Sequence, residues 1–445
     1  MQNHCETMGP LCLRVKKTIF DSSNPLSTNM NQPTAKKHGI LSLTVIVAAL
    51  GYFVDIYDLQ LFNLVSKTSL KGLGITDPAQ LDYWDIRLFN FQMFGMLIGG
   101  IVWGILGDLK GRKSILFGSI ILYSIANILN GFVENTFQYS VVRFFAGLGL
   151  AGELGAAITL VSEILQKEKR GLGTMIIVSV GALGAVTAFY ITGHVDWRTS
   201  YFIGGGLGLL LLGLRFGTFE SGMFDHVKKQ NVARGNFLSL FSDVTRLKKY
   251  IFCILIGVPV WYCIGVLMKF SDKFAGEWGL DVSGENGIQI RRTAIMLSYV
   301  GLSVGDMLSG ILSQVFKSRK KVVIGYLLAS IVFASIYLFT KSDSLFLFNT
   351  MCFLLGCATG YWALFVTIAS EQFGTNIRAT VTTTVPNFVR GLVVPLTLGF
   401  AALAGNIGNI NSALVVGLIS VSLALIAIFS VKETFSKDLN YVEMS

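Results

Sequence analysis

Long apolar stretches recur along this chain from residue 40 to residue 430. Each covers about 20 residues, the length that crosses a bilayer as a helix, and a helix satisfies its own backbone hydrogen bonds where lipid cannot. Only 14% of the residues are charged, against roughly a quarter in a soluble domain, so we predict an all-α protein of the membrane. About twelve transmembrane helices are expected, over residues 40–65, 87–107, 114–133, 138–165, 171–193, 199–218, 250–270, 293–316, 321–340, 344–369, 379–403 and 410–431.

Polar stretches divide the chain into parts. Residues 219–249 are the only long polar stretch between predicted spans, so we expect them to be a cytoplasmic linker between two six-helix halves, 40–218 and 250–431. Residues 1–39 are polar and lack an apolar core long enough for a signal peptide, which predicts a disordered cytoplasmic tail. Residues 432–445 are expected to form a second cytoplasmic tail. Either Met1 or Met30 could be the true start.

The basic residues, which give a net charge of +10, gather in alternate loops. Lysine and arginine cluster at residues 110–113, 167–170, 228–249 and 317–321, all on one side of the predicted spans. The positive-inside rule places these loops and both termini in the cytoplasm, and a bacterial inner membrane is the expected location. Because the charge follows membrane orientation, nucleic acid is not an expected partner.

One short loop has a distinctive pattern. Residues 104–113 read G-x-x-x-D-x-x-G-R-K between two spans, with Gly104, Asp108, Gly111, Arg112 and Lys113 at the fixed positions. The pattern resembles the loop between the second and third helices of major facilitator superfamily transporters. The resemblance implies a cytoplasmic loop that governs conformational exchange, in which Asp108 caps a helix or pairs with a basic group. The alternative is an ordinary tight turn between two membrane helices.

Later segments extend the resemblance to the metabolite:H+ symporter and sugar-porter branches of the superfamily, over residues 40–435. Within the fourth span, the residues from Arg143 onward read R-F-F-A-G-L-G-L-A-G-E, which is similar to R-x-x-x-G-x-x-x-G-G-E with Ala151 in place of a glycine. The loop after it is similar to E-x(6)-R-G, and residues 371–379 are similar to E-x-F-P-T-x-x-R-A. The resemblance implies gating roles for four charged residues: Glu163, Arg170, Glu371 and Arg378.

Ionisable residues within membrane spans are costly, so each is a functional candidate. Asp55 and Asp58 share one face of the first span because they lie three residues apart. Depth counted at about 1.5 Å per residue puts Asp58 level with Arg143 of the fourth span, where the two could neutralise each other. Such a pair either fixes packing permanently or couples transport to protons. The predicted proton-coupling residues are Asp55, Asp58, Arg143 and Glu153.

Arg390 lies near the middle of the eleventh predicted span. It either forks onto an anionic substrate in a central cavity or bonds to carbonyl groups of a neighbouring helix. Asp306 of the eighth span is either its counter-ion or a member of the cytoplasmic gate with the basic turn that follows.

Several aromatic residues lie within spans and not at their ends. Trp261, Tyr361 and Trp362 could line a cavity with their polar tips towards substrate, although packing roles are equally open. Tyr57 of the first span and Gln92 of the second are further candidates for substrate binding.

The chain contains no phosphate-binding loop, catalytic triad or metal-ligand cluster in its sequence, so no enzymatic activity and no cofactor other than a coupling proton are expected. The resemblance implies a secondary active transporter, and we predict a monomeric proton symporter of a small anionic or zwitterionic metabolite, such as an organic acid or amino acid. Two similar halves would place its substrate site between them, near the midplane. The alternatives are an exporter of an amphipathic compound and a membrane nutrient sensor that does not transport.

Overall fold

The computed structural model describes residues 42–166, 169–215, 234–437 and 441–442. Every regular element in these ranges is a helix. The predicted tail at residues 1–39 lies outside the described residues, as do parts of the predicted linker and of the C-terminal tail. The spans of the N-terminal half are α1 Leu43–Gly72, α2 Pro78–Lys110, α3 Arg112–Asn130, α4 Thr136–Ile164, α5 Arg170–His194 and α6 Trp197–Leu214.

The described part of the C-terminal half is also built from long helices. Its helical stretches are α7 Val244–Met268, α8 Glu285–Val315, α9 Arg319–Phe339, α10 Leu345–Gln372 and a long stretch over Arg378–Ser430. Gly408 has non-helical backbone within that stretch, at φ 80° and ψ 165°, a region that glycine adopts without strain. The stretch therefore comprises two spans, α11 before Gly408 and α12 after it. The prediction of an all-α membrane protein with about twelve spans is confirmed.

The start of α2 differs from the prediction. The helix begins at Pro78, whereas the apolar pattern predicted a start at residue 87. Asp77 caps it by accepting a hydrogen bond from the backbone N–H of Gln80 at 2.9 Å, and proline suits the first helical position. An apolar pattern locates the part of a helix that lies in lipid but misses polar turns beyond it. The additional turns carry Asp85, which is buried.

Four spans are irregular within their length. α5 is interrupted at Leu183, α10 between Ala358 and Trp362, and α11 at Leu392, while α7 closes with a π-helix over Cys263–Met268. Irregular backbone at membrane depth is tolerated where it is buried in protein or lines a cavity. These irregularities therefore mark the part of the bundle where a site can be built.

The halves meet chiefly along two helix pairs, α2 with α11 and α5 with α8, and α4 with α11 and α5 with α10 add smaller contacts. Gly104 allows the first approach, since a Cβ there would stand 2.9 Å from the Cα of Thr380 at the start of α11. Polar contacts join the halves at both ends of the bundle. We call the end that carries residues 110–113 the basic-loop end, and the end that carries Asp85 the opposite end.

Candidate functional site

A small cavity lies between the halves, beside the irregular parts of α5, α7 and α10. Its volume is about 20 Å³, room for about one water molecule, so the cavity would have to widen to hold a substrate. Its walls are apolar or aromatic, with one charged group. The lining residues are Tyr52, Ile56, Ala182, Val260, Trp261, Ile264, Tyr299, Leu302, Trp362 and Arg390. We call this space the central cavity.

Arg390 is the charged group of the central cavity, and its side chain is 1% exposed. Its Nη2 lies 3.8 Å from Oδ2 of Asp55, so the two are an ion pair without a hydrogen bond. Weak bonds of 3.3 Å to Asn387 Oδ1 and 3.5 Å to the Tyr52 hydroxyl complete its polar contacts in the described chain. Its guanidinium also lies 6.0 Å from the ring of Trp261 and 5.9 Å from that of Trp362. A buried guanidinium with so few hydrogen bonds can donate to a better-placed carboxylate.

Asp306 lies beside the same region but does not pair with Arg390. Its Oδ1 accepts a hydrogen bond of 2.8 Å from the backbone N–H of Ala363, at the start of the second part of α10. The carboxylate therefore satisfies a backbone donor that the break in α10 leaves free. The structure gives no contact between Asp306 and the basic turn, whose Arg319 instead forks onto Glu371 at 2.7 and 2.8 Å.

The expected ion pair between Asp58 and Arg143 is not formed among the described residues. Arg143 donates to the carboxamide oxygen of Gln92, and its guanidinium lies 4.6 Å from the ring of Phe62. Asp58 is fully buried, and neither of its carboxylate oxygens has a hydrogen-bond partner in the described chain. A count of depth along two helices fixes height but not the direction in which each side chain points, so equal depth does not ensure that two side chains meet.

Glu153 is paired with a residue that the sequence did not single out. Arg215 forks onto its carboxylate, with Nη1 2.9 Å from Oε2. The same Nη1 donates to the carbonyl oxygen of Leu116 at 2.6 Å. Arg215 stands at the end of an apolar stretch and therefore reads as a loop residue, yet it is 1% exposed. Glu153 is thus already neutralised within the N-terminal half.

Asp108 joins the two halves at the basic-loop end. Its carboxylate accepts hydrogen bonds from the backbone N–H groups of Ala379 and Thr380, at 3.1 and 2.8 Å, and from the Thr380 hydroxyl at 2.7 Å. These N–H groups open α11, so Asp108 caps a helix of the other half. Arg112 lies 3.5 Å from the same carboxylate. Gly111 has φ 100°, which explains the glycine at this turn.

Further charges at the basic-loop end extend this connection. Glu163 accepts hydrogen bonds from Arg112 of its own half at 2.9 Å and from Arg378 of the other half at 3.2 Å. Arg170 donates to the carbonyl oxygen of Lys437 at 3.1 Å. Lys113 contacts the ring of Phe117, 5.7 Å from its centroid. Charged residues that carry the resemblance to the superfamily therefore lie together at the basic-loop end, although they are far apart along the chain.

A family model described as Major Facilitator Superfamily matches residues 48–397. The chain belongs to the Major Facilitator Superfamily. Its members are transporters, so this protein is a membrane transporter and not an enzyme, and the resemblance read from residues 104–113 is confirmed.

Individual relatives agree with this assignment. The niacin transporter NiaP of Acinetobacter baylyi is 24% identical over 426 residues, which cover 87% of this chain and 88% of that protein. The benzoate transport protein of the same organism is 24% identical over 373 residues, 76% of this chain and 78% of that protein. Among solved structures, the proton:xylose symporter XylE matches with a TM-score of 0.71 at 16% identity, over 89% of this chain and 97% of that one. This last likeness shows that the fold is shared.

The superfamily fold brings some predicted substrate residues to the central cavity and places others elsewhere. Arg390, Trp261 and Trp362 line it, as expected for binding residues. The hydroxyl of Tyr57 instead donates to the carbonyl oxygen of Ser200 at 3.1 Å, and that of Tyr361 to Ile256 at 2.9 Å. Each of these two bonds stays within its own half. The carboxamide oxygen of Gln92 accepts a hydrogen bond from Arg143. These three residues do not line the cavity, because their faces turn into their own halves.

Sequence reasoning missed two tyrosines of the cavity. Tyr52 lies three residues before Asp55, which places both on one face of α1 and could have identified it. Tyr299 of α8 accepts a hydrogen bond of 2.6 Å from Gln60 of the other half, and no local pattern indicates this contact.

The superfamily loop yields a first prediction. Asp108→Asn should slow transport about tenfold, because a neutral amide caps α11 less well than a carboxylate. Substrate affinity should change little, since Asp108 does not line the central cavity. Initial uptake rates in proteoliposomes and equilibrium binding to purified protein measure the two effects separately.

The matched control for this variant is Asp196→Asn. Asp196 also caps a helix through its carboxylate, but within its own half, where it accepts from the backbone N–H groups of Arg198 and Thr199. Transport by this control should be normal. A normal rate in Asp108→Asn as well would refute the gating role of the cap between the halves.

Proposed function

We propose that the protein is a proton symporter that imports a small aromatic or otherwise planar organic acid, with Arg390 as the group that binds its carboxylate. The observation that carries this proposal is the buried guanidinium of Arg390, which faces the central cavity and is held by a single ion contact of 3.8 Å. A carboxylate placed in the cavity could make the two parallel hydrogen bonds that Asp55 does not make.

The walls of the cavity support a planar substrate. The rings of Trp261 and Trp362 lie 6.5 Å apart and are inclined by 65°, and both flank Arg390. Aromatic rings pack well against other rings in offset or edge-on arrangements. The relatives named above carry niacin and benzoate, which are ring carboxylic acids, and this chain supplies a cation and two indoles that line the central cavity.

The position of Asp55 supports coupling to protons. A substrate carboxylate on Arg390 would leave two carboxylates beside one guanidinium in a site of low dielectric, which is unfavourable. Protonation of Asp55 removes that conflict, so the acid and one proton would bind together. When both depart, Asp55 ionises and returns to Arg390. The ion pair seen here thus corresponds to the substrate-free carrier in this scheme.

The direction of transport follows from the proposed orientation. The basic loops favour a cytoplasmic location for the basic-loop end and for both termini. A reporter fused after Lys248 should therefore be active in the cytoplasm. Activity in the periplasm would reverse the proposed orientation of the protein in the membrane. An inward proton gradient would then drive import.

Flux through proteoliposomes tests the proposed function. With radiolabelled benzoate outside, an imposed gradient that is acidic outside should accelerate uptake above the rate without a gradient. Nicotinate and other ring carboxylates should compete for uptake, whereas the neutral amides benzamide and nicotinamide should compete poorly. Equal competition by acids and amides would refute binding through Arg390, and uptake that ignores the gradient would refute proton coupling.

A further inference from the structure

A buried cluster of three charges joins the halves at the opposite end of the bundle. Oδ2 of Asp85, in α2, lies 3.4 Å from Nζ of Lys269 and 3.2 Å from Nη1 of Arg291. All three side chains are 5% exposed. Lys269 directly follows α7, and Arg291 belongs to α8. The carboxylate therefore comes from the N-terminal half, and both cations come from the C-terminal half.

This cluster holds more positive charge than its carboxylate balances. Both cations contact Oδ2 of Asp85. The lysine contacts, 3.4 Å to Oδ2 and 3.5 Å to Oδ1, are longer than an ordinary charge-assisted hydrogen bond of about 2.7–2.9 Å. Nε of Arg291 has no hydrogen-bond partner among the described residues. Nζ of Lys269 rests 4.5 Å from the centre of the Phe89 ring. Two buried cations with so few bonds leave room for a second acceptor.

Neighbouring carboxylates do not supply that acceptor, because each is paired elsewhere. Lys67 lies 3.4 Å from Asp82 and 3.8 Å from Asp272, in a more exposed position. Glu285 lies 3.5 Å from Lys71. The pairs of Lys67 with Asp272 and of Lys71 with Glu285 also join the halves. Asp85 is the carboxylate that contacts both buried cations.

Separation of the halves would change the surroundings of these cations. A transporter built from two halves exposes its central site by moving one against the other. At the opposite end this movement would carry Asp85 away with α2, while Lys269 and Arg291 remain together on the C-terminal half. Lys269 lies eight residues beyond Trp261, which is about 12 Å along a helix. The two cations would then stand on the route to the central cavity.

We propose that Lys269 and Arg291 form a second binding site for an organic carboxylate, which Asp85 occupies while the opposite end is closed. An acid that enters from this end would bind the two cations first and pass on to Arg390. Asp85 would then return to the cations and close the route behind it. The identity of the anion rests on the proposed function, whereas the site itself rests on the charge cluster.

The number of benzoate molecules bound per protein tests the proposal. Equilibrium binding of radiolabelled benzoate to the purified full-length protein should reveal one site in the wild type, because Asp85 competes for the second. In Asp85→Asn the cations lose their internal carboxylate, and a second bound benzoate is expected. The double variant Asp85→Asn/Lys269→Gln should return to one. Asp82→Asn is the matched control, since it makes the same change one turn earlier in α2 on a carboxylate outside the cluster, and it should bind one.

The outcomes separate this proposal from the proposed function. One site in both the wild type and Asp85→Asn would overturn the second site and leave Arg390 as the substrate site. No binding to the wild type, together with a Lys269-dependent site in Asp85→Asn, would support the second site and remove the proposed substrate of the central cavity. Two sites in Asp85→Asn that persist in the double variant would also overturn the assignment to Lys269.

A second variant keeps the proposal testable if Asp85→Asn fails to fold. Lys269→Gln alone should raise the KM for benzoate uptake about tenfold, because one charge-assisted contact on the entry route is lost. The equilibrium affinity of the central cavity for benzoate should stay the same, since Lys269 does not line it. An unchanged KM would refute the entry site, and a fall in affinity at Arg390 would show a structural role instead.

Discussion

Replacing Arg390 with glutamine is expected to weaken benzoate binding by at least about a hundredfold, since two charge-assisted hydrogen bonds are lost and each contributes about 1.5–3 kcal/mol. Arg390→Lys keeps the charge but loses the fork, so we expect an intermediate loss of about tenfold. Equilibrium binding to detergent-purified protein gives the dissociation constants directly.

A role of Arg390 in packing alone makes a different prediction. It would lower the yield or thermal stability of Arg390→Gln, while the surviving folded protein would bind benzoate with unchanged affinity. Arg198→Gln is the matched control, because Arg198 makes its contacts with Trp197 and the carbonyl oxygen of Gly131 inside one half. This control should bind normally. An unchanged dissociation constant in Arg390→Gln would remove the main reason for an anionic substrate.

Replacing Asp55 with asparagine is expected to abolish accumulation of the acid against its gradient. The variant keeps the size of the side chain but cannot carry a proton, so the driving force of the pH gradient is lost. Exchange of internal for external acid should continue, because exchange requires no net proton movement. In the wild type, benzoate binding should weaken as pH rises, since a proton is taken up with the acid, whereas binding to Asp55→Asn should no longer depend on pH over the same range.

Asp58→Asn provides the comparison for this variant. Asp58 lies one turn from Asp55 on α1 and has no ion-pair partner among the described residues, so its replacement removes a carboxylate without releasing Arg390. We expect accumulation to persist in Asp58→Asn if Asp55 alone carries the proton. Accumulation that survives in Asp55→Asn and is lost in Asp58→Asn would move the proton site to the interior of the N-terminal half.

The spans of this protein were predictable from its sequence because lipid imposes a local requirement. A stretch such as Arg319–Phe339 must be apolar and helical whatever its neighbours are, so composition alone locates it. The break in α10 was not predictable in this way, since it depends on Asp306 of another helix satisfying the N–H of Ala363. The polar start of α2 was missed because it lies outside the apolar stretch.

The candidate site was predictable only in part. Arg390 stood out because a charge in the middle of a span is costly wherever it points. Its partner was not predictable, because Asp55 and Asp58 are equally conspicuous in the sequence and only the packing of α1 decides which of them meets Arg390. Lys269 and Asp85 lie at the margins of their apolar stretches, where charged residues are common and carry no signal.

The cap that Asp108 places on α11 has a consequence for experiment. The amide protons of Ala379 and Thr380 are bonded to a carboxylate of the other half, so they are protected from solvent exchange only while the basic-loop end stays shut. Deuterium uptake at these two amides would therefore follow opening of the basic-loop end without an attached reporter group or a substitution. The exchange rate at these two amides would thus measure how often the basic-loop end opens.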